Sequence, residues 1–307
     1  MTGGMTATRL HNGSLTVTVS DLGAEMQSLA GPDGAALLWH GDPAFWPGRA
    51  PILFPIVGRA PGDLLAVNGQ VAPMAQHGFA RRSRFALTEA GDEFCRHTLT
   101  DSPATHAAYP CAFRLTITHR LQGATLRVEA EVTNPGTDAQ MGPLPFGFGF
   151  HPAFVWPLPG ADGAAHVVTL DNGAEPALAR LRDGLLTGAT TASPFRSGRL
   201  ELHPGLFAEG ALVFPAGAGP GLRYGVPGGP GLRFAFENLP NLALWTKPGA
   251  PFLCIEPWHG MAAHEGASPD IAERPGTLTL APGATCRFAM SVTPEQEATG
   301  QRVDALP

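Results

Sequence analysis

The sequence contains no uninterrupted apolar run of about 18 residues, so no membrane-spanning helix is expected. Met1–Leu10 has no basic flank followed by an apolar stretch, so no signal peptide is expected and a cytoplasmic location follows. Basic clusters are also missing. The densest group is Arg81, Arg82 and Arg84, too small for a nucleic-acid surface in a chain of net charge −6. Cysteine is scarce: the four are Cys95, Cys111, Cys254 and Cys286, with no C-x-x-C pair, each in or beside an apolar run. Free buried thiols are expected, not disulfides or a metal site. The eleven histidines form no H-x-H or H-x-x-x-H pair, and none of the metal spacings of zinc enzymes is present. No phosphate-binding glycine loop and no G-x-S-x-G nucleophile turn occurs.

What remains is alternation of period two. Leu15–Val19, Phe113–Thr118 and Leu126–Val132 alternate apolar and polar residues, and the last two flank a turn at Gly123, which predicts an antiparallel hairpin. Further strands are predicted at 166–170, 222–224, 231–236, 242–245, 252–255, 276–280 and 286–292. The 39 Gly and 31 Pro interrupt the chain at strand spacing and leave few helical windows. One short helix is expected at Asp42–Trp46, with Asp42 as cap and Pro43 at the first position. Many short strands with Gly/Pro turns imply sheet packed on sheet. With 44% apolar residues and no linker-like stretch, the expectation is an all-β chain forming a single large antiparallel β-sandwich domain over residues 1–307.

Four segments carry more chemistry than a sandwich requires. Pro51–Arg59 is an apolar strand ending in Gly58-Arg59, and a guanidinium fork suits paired hydroxyls. Gln76-His77-Gly78-Phe79-Ala80-Arg81 sets a histidine and an arginine around a glycine turn. Pro145–Phe154 alternates glycine with Phe146, Phe148 and Phe150 before His151, giving ring faces for a sugar's C–H surface and a general acid. Phe252–Gly260 puts Glu256 directly after four apolar residues and just before Trp258; a buried carboxylate becomes a stronger base once ionised.

These stretches, together with Leu37-Leu38-Trp39 and Trp245–Phe252, resemble the aldose 1-epimerase (galactose mutarotase-like) family, in its LacX-like branch, in order and spacing from Arg9 to Val292. The resemblance implies a galactose mutarotase-like supersandwich with an open sugar cleft on one concave sheet. It implies Glu256 as base and His151 as acid, with Arg59, His77, Arg81, Phe150 and Trp258 binding sugar. It implies no cofactor and no metal, a small sugar as partner, neither nucleic acid nor membrane, and a monomer or weak homodimer. The family's further acidic sugar ligand falls in Phe207–Leu212, where Gly210 stands in its place beside Glu209. A sister activity on hexose 6-phosphates needs a cationic site drawn from Arg81, Arg82, Arg84 and Lys247. A non-catalytic sugar-binding module would lack the acid or the base.

Overall fold

The computed structural model describes residues 6–136 and 142–295; the ends of the predicted 1–307 domain lie outside the described residues. Two large antiparallel sheets carry the chain. One has nine strands in the order Arg199–Glu201, Val167–Leu170, Gly221–Gly225, Gly231–Glu237, Thr285–Glu295, Thr125–Thr133, Arg114–Gln122, Phe94–Thr100 and Ala86–Ala90. The other runs Leu185–Thr191, Leu178–Arg182, Leu212–Phe214, Asn241–Trp245, Phe252–His259, Phe148–Phe150 and Ile52–Leu53, with Ala153–Val155 also paired to Phe252–His259. The predicted hairpin forms with Leu126 opposite Leu121 and Val132 opposite Leu115. An aliphatic and aromatic core fills the space between layers, from Leu10 to Val292.

Helix is nearly absent, as the Gly/Pro spacing predicts. The one α-helical turn among the described residues is Pro103–His106, closed by a Ser102/Thr105 capping box. The segment expected to be a helix at Asp42–Trp46 is instead a single turn. Asp42 accepts from the Ala44 and Trp46 amides, but Pro47 follows and no further turn forms. All four cysteines are free; three are buried and Cys286 is half-buried.

The strand Phe252–His259 is longer than the predicted 252–255, because it continues through Pro257. Ile255 N–H donates to Pro152 O, so the missing N–H of Pro257, two residues on, falls on that same side. There the neighbouring ladder is already broken: along Phe252–His259, Phe148–Phe150 meets only Trp258 and His259, and Ala153–Val155 only Phe252 to Cys254. His151 and Pro152 occupy the gap. The proline and the interruption fit each other, and both put His151 beside Glu256.

Candidate active site

Alternation along Phe252–His259 sends Leu253 and Ile255 into the main core and Phe252, Cys254, Glu256 and Trp258 to the opposite face. That face forms the floor of an open cavity of about 410 Å³. Glu256 is 2% exposed and His151 7%. His151 Nε2 lies 3.2 Å from Glu256 Oε2. Burial pushes the Glu256 carboxyl well above the usual range and His151 down to about 3. Both shifts favour the uncharged forms. Of the two, the carboxyl holds its proton to the higher pH.

His77 stands at the cavity edge, its ring 5.5 Å from that of His151 in an edge-on arrangement. Its φ is +67°, an uncommon conformation for a residue with a side chain, and Gly78 follows at +72°. The reason is a close approach of two loops: a Cβ on Gly78 would sit 2.2 Å from Phe54 O. The double left-handed step aims the imidazole at Gly58, whose N–H donates to Nδ1 at 3.1 Å, while His77 N–H donates to Gly58 O. His77 Nε2 must then carry the hydrogen. The Gln76 amide nitrogen is assigned 3.3 Å from it, which sets donor against donor; turning the amide over lets Oε1 accept instead. Burial, the neighbouring His151 and two guanidiniums hold His77 well below the ordinary histidine range, so it serves as a neutral donor.

Arg81 lines the cavity, with Nη2 on Gln76 O and Nε buried and unpartnered. Trp258 also lines it, and its Nε1 is a second buried donor without a partner among the described residues. Two of the sequence-predicted sugar ligands stand elsewhere. Arg59 is bound through Nε and Nη2 to the Asp63 carboxylate at 2.7 and 2.6 Å and through Nη1 to Asp183 O, and it does not line the cavity. Asp63, four residues on, captures the fork that the sequence reading gave to the sugar. Phe150 is 2% exposed and packs edge-on against Phe148 in the main core. Alternation turns it away from the cavity, so the rings come from other segments.

Those rings are Trp46 and Trp245. Trp46 stacks on His151 at 5.0 Å and 25°, and Trp245 meets both edge-on. Trp39 Nε1 donates to Trp46 O, and a Cβ on Gly48 would collide with the Trp46 ring. Beneath the loops, Arg274 is 6% exposed and donates to the carbonyls of Val57, Arg59 and Met261. It ties the Gly58 loop to the Ala262 loop and, lacking a carboxylate, is pushed down to about 10 by burial. Trp46 stood in a turn read as a plain helix, and Arg274 in a segment without a motif; no local signal marks either.

Among the described residues, one group of side chains could hold a metal ion: potential ligand atoms of His151, Cys254 and Glu256 all lie within 4.8 Å of one another. Sequence spacing hides the trio, since His151 comes from a different strand connection. Burial raises the Cys254 thiol well above its usual range, which makes it a poor ligand. Of the four cations considered for a phosphate, Arg81 lines the cavity and Arg82, Arg84 and Lys247 do not.

Comparison with known proteins gives a consistent result. The aldose 1-epimerase family matches residues 6–198. The chain is 29% identical to the plasmid-encoded protein LacX of Lactococcus lactis subsp. lactis, covering 92% of this chain and 98% of that one. A galactose mutarotase related enzyme from Lactobacillus acidophilus superposes with a TM-score of 0.87 at 25% identity, over 95% of this chain and 98% of its own. A galactose mutarotase-like protein from Lactobacillus casei gives 0.85 at 27%, over 94% and 100%. The chain belongs to the aldose 1-epimerase family, among its LacX-like members.

Proposed function

We propose that this protein is an aldose 1-epimerase, or mutarotase, which interconverts the α and β anomers of a free aldose without a cofactor. The observation that carries the reading is the buried 3.2 Å contact between His151 Nε2 and Glu256 Oε2 on the floor of an open, indole-walled cavity. The names of the galactose mutarotase-like relatives point the same way.

Anomer exchange needs one proton removed from the anomeric hydroxyl and one delivered to the ring oxygen. A carboxylate and an imidazolium accomplish both: Glu256 accepts the first and His151 donates the second. The pair then stands as carboxylic acid and neutral imidazole while the sugar is an open aldehyde. Rotation about the first carbon–carbon bond and reclosure reverse both transfers. The pair holds one proton at every stage, and only its position changes. Burial, which raises Glu256 and lowers His151, favours the arrangement of the ring-open stage. His77, Arg81 and Trp258 line the cavity beside the pair, where their side chains can meet the sugar. Trp46 and Trp245 offer apolar faces for the pyranose.

A sugar-phosphate substrate finds less support, because a dianion would meet one guanidinium, Arg81, and the Glu209 carboxylate in the same cavity. The test is polarimetry of freshly dissolved α-anomers with catalytic amounts of the protein. Faster decay of rotation than in buffer is expected for free aldoses. Decay at the buffer rate for every free aldose, with acceleration of sugar phosphates, would overturn the reading.

A further inference from the structure

His151 lacks the support that a proton-moving histidine commonly has, a carbonyl or carboxylate on its second ring nitrogen. Its Nε2 faces Glu256. Its Nδ1 is buried and makes no hydrogen bond of ordinary geometry among the described residues, its own backbone carbonyl being a poor acceptor for it. Rings surround it instead. Trp46 lies against its face, with 5.0 Å between centroids and 25° between planes, while Trp245 and His77 stand edge-on to it at 6.0 and 5.5 Å.

The Trp46 indole is itself fixed. Its carbonyl accepts from Trp39 Nε1, its amide donates to Asp42 O, and its ring rests against Gly48, where a Cβ would come within 2.5 Å of it. Just after it, the Glu25 carboxylate accepts from the amides of Arg49 and Ala50. Just before it, Ala44 O accepts from Lys247 Nζ. The imidazole therefore meets a surface that is already set.

The same surroundings leave a positive His151 short of stabilisation, although the proposed exchange requires that charge while the sugar is closed. Arg81 repels it, His77 is held neutral, and Cys254 is held as the thiol. Glu256 attracts it but is also the group that trades protons with it. Asp42 and Lys247, on the segments that carry the two indoles, are bound to backbone. The face of an indole attracts a cation within about 6 Å of its centroid, most strongly where water is excluded. Trp46 meets that condition against a residue that is 7% exposed.

We infer that Trp46 is a positioning residue for the acid: its indole face sets the plane of the His151 ring and stabilises the imidazolium over the neutral ring. The consequence for turnover rests on the epimerase reading; the effect on His151 does not. Burial favours the arrangement of the ring-open stage, so the transfer that charges His151 is the one the stack assists.

The test changes the electrons of the ring and keeps its shape. Increasingly fluorinated tryptophans, incorporated at position 46 of the full chain, draw density from the π face. Anomer exchange of a free aldose is read by saturation-transfer NMR and binding by calorimetry. The state of His151 is read from the drift of its Cε1–H resonance as pH falls. With rising fluorine content kcat is expected to drop stepwise, by about tenfold for the most fluorinated ring, with affinity within about threefold of wild type. The drift of the His151 resonance is expected to begin at lower pH in the same order. Trp46→Leu should lose as much kcat as the fullest fluorination, and Trp46→Phe, which keeps a π face, should recover part of it. Indifference of either kcat or the drift to fluorine content overturns the inference, even where Trp46→Leu is inactive, because only a packing role would then remain. If the wild type turns over no sugar, the epimerase reading fails and the His151 drift alone decides. An onset that follows fluorine content supports the stack; an onset that does not, or no drift at all, overturns it.

Discussion

The chemistry rests on two side chains whose charges burial suppresses. Burial pushes His151 down to about 3 and Glu256 above the carboxylate range, so of the two groups the carboxyl holds its proton to the higher pH. A glutamate and a histidine at their ordinary values would set the acid limb of the pH–rate profile by the carboxylate and the alkaline limb by the imidazole. Burial reverses that order. On the acid side activity falls when a second proton reaches His151; on the alkaline side it falls when Glu256 loses the only one. His151→Asn is expected to slow anomer exchange on the order of 10²-fold or more and to abolish the acid limb. A pH–rate profile of both proteins checks this, and an acid limb that survives in the variant would move the role to another group. The residues themselves were legible, because a glutamate after four apolar residues and a histidine after alternating Gly-Phe steps are costly without a purpose. The direction of their titration was not legible, because it depends on how deeply a second segment covers them.

At the scale of elements, the 76–81 loop shows how closely function depends on backbone. His77 and Gly78 both have positive φ, and the Gly78 α-carbon lies against Phe54 O. Gly78→Ala is expected to cost more than about 1 kcal/mol, since it adds a clash with backbone to an unfavourable φ. It should also displace His77 and weaken sugar binding. A melting temperature within a degree of wild type, with unchanged affinity, would contradict this. The strands were visible as alternation, down to the hairpin across Gly123. Elements defined by distant partners were not. The length of Phe252–His259 depends on a gap in its neighbour. Arg59 reads as a sugar ligand until Asp63, brought round by a turn at Gly62, occupies its fork. Phe150 reads as a cavity wall, but strand alternation turns it inward.

At the scale of the molecule, the fold holds several histidines neutral in its interior. His119 is held at about 3 by burial, as is His151, and His77 lies well below its ordinary value. Such groups bind protons in the unfolded chain near pH 6.5 but not in the folded one, so stability falls as pH drops from about 6.5 toward 3. Glu256 acts in the opposite sense. Its folded pKa is raised, so its contribution is present below the unfolded value near 4.5 and is lost as pH rises through the folded one. Three histidines outweigh one carboxyl, and the melting temperature is expected to be lower at pH 5 than at pH 7. Calorimetry at the two values checks it; a higher value at pH 5 would mean that the carboxyl dominates. The arrangement as a whole was legible in outline, as an all-β chain with a sugar-type cavity. The aliphatic lining of that cavity was not, since Leu181, Leu186 and Val213 are ordinary strand residues in any sequence reading.

The central claim is that Glu256, with His151, moves the protons of anomer exchange. Polarimetry of fresh α-D-galactose, α-D-glucose and α-D-fucose with wild type and Glu256→Gln tests it most directly. Glutamine keeps the shape of the side chain but can neither take nor give the proton. The expected result is acceleration by wild type and a loss of roughly 10²–10⁴-fold in the variant, with an unchanged far-ultraviolet circular dichroism spectrum. A variant that restores the equilibrium rotation as fast as wild type would contradict the account.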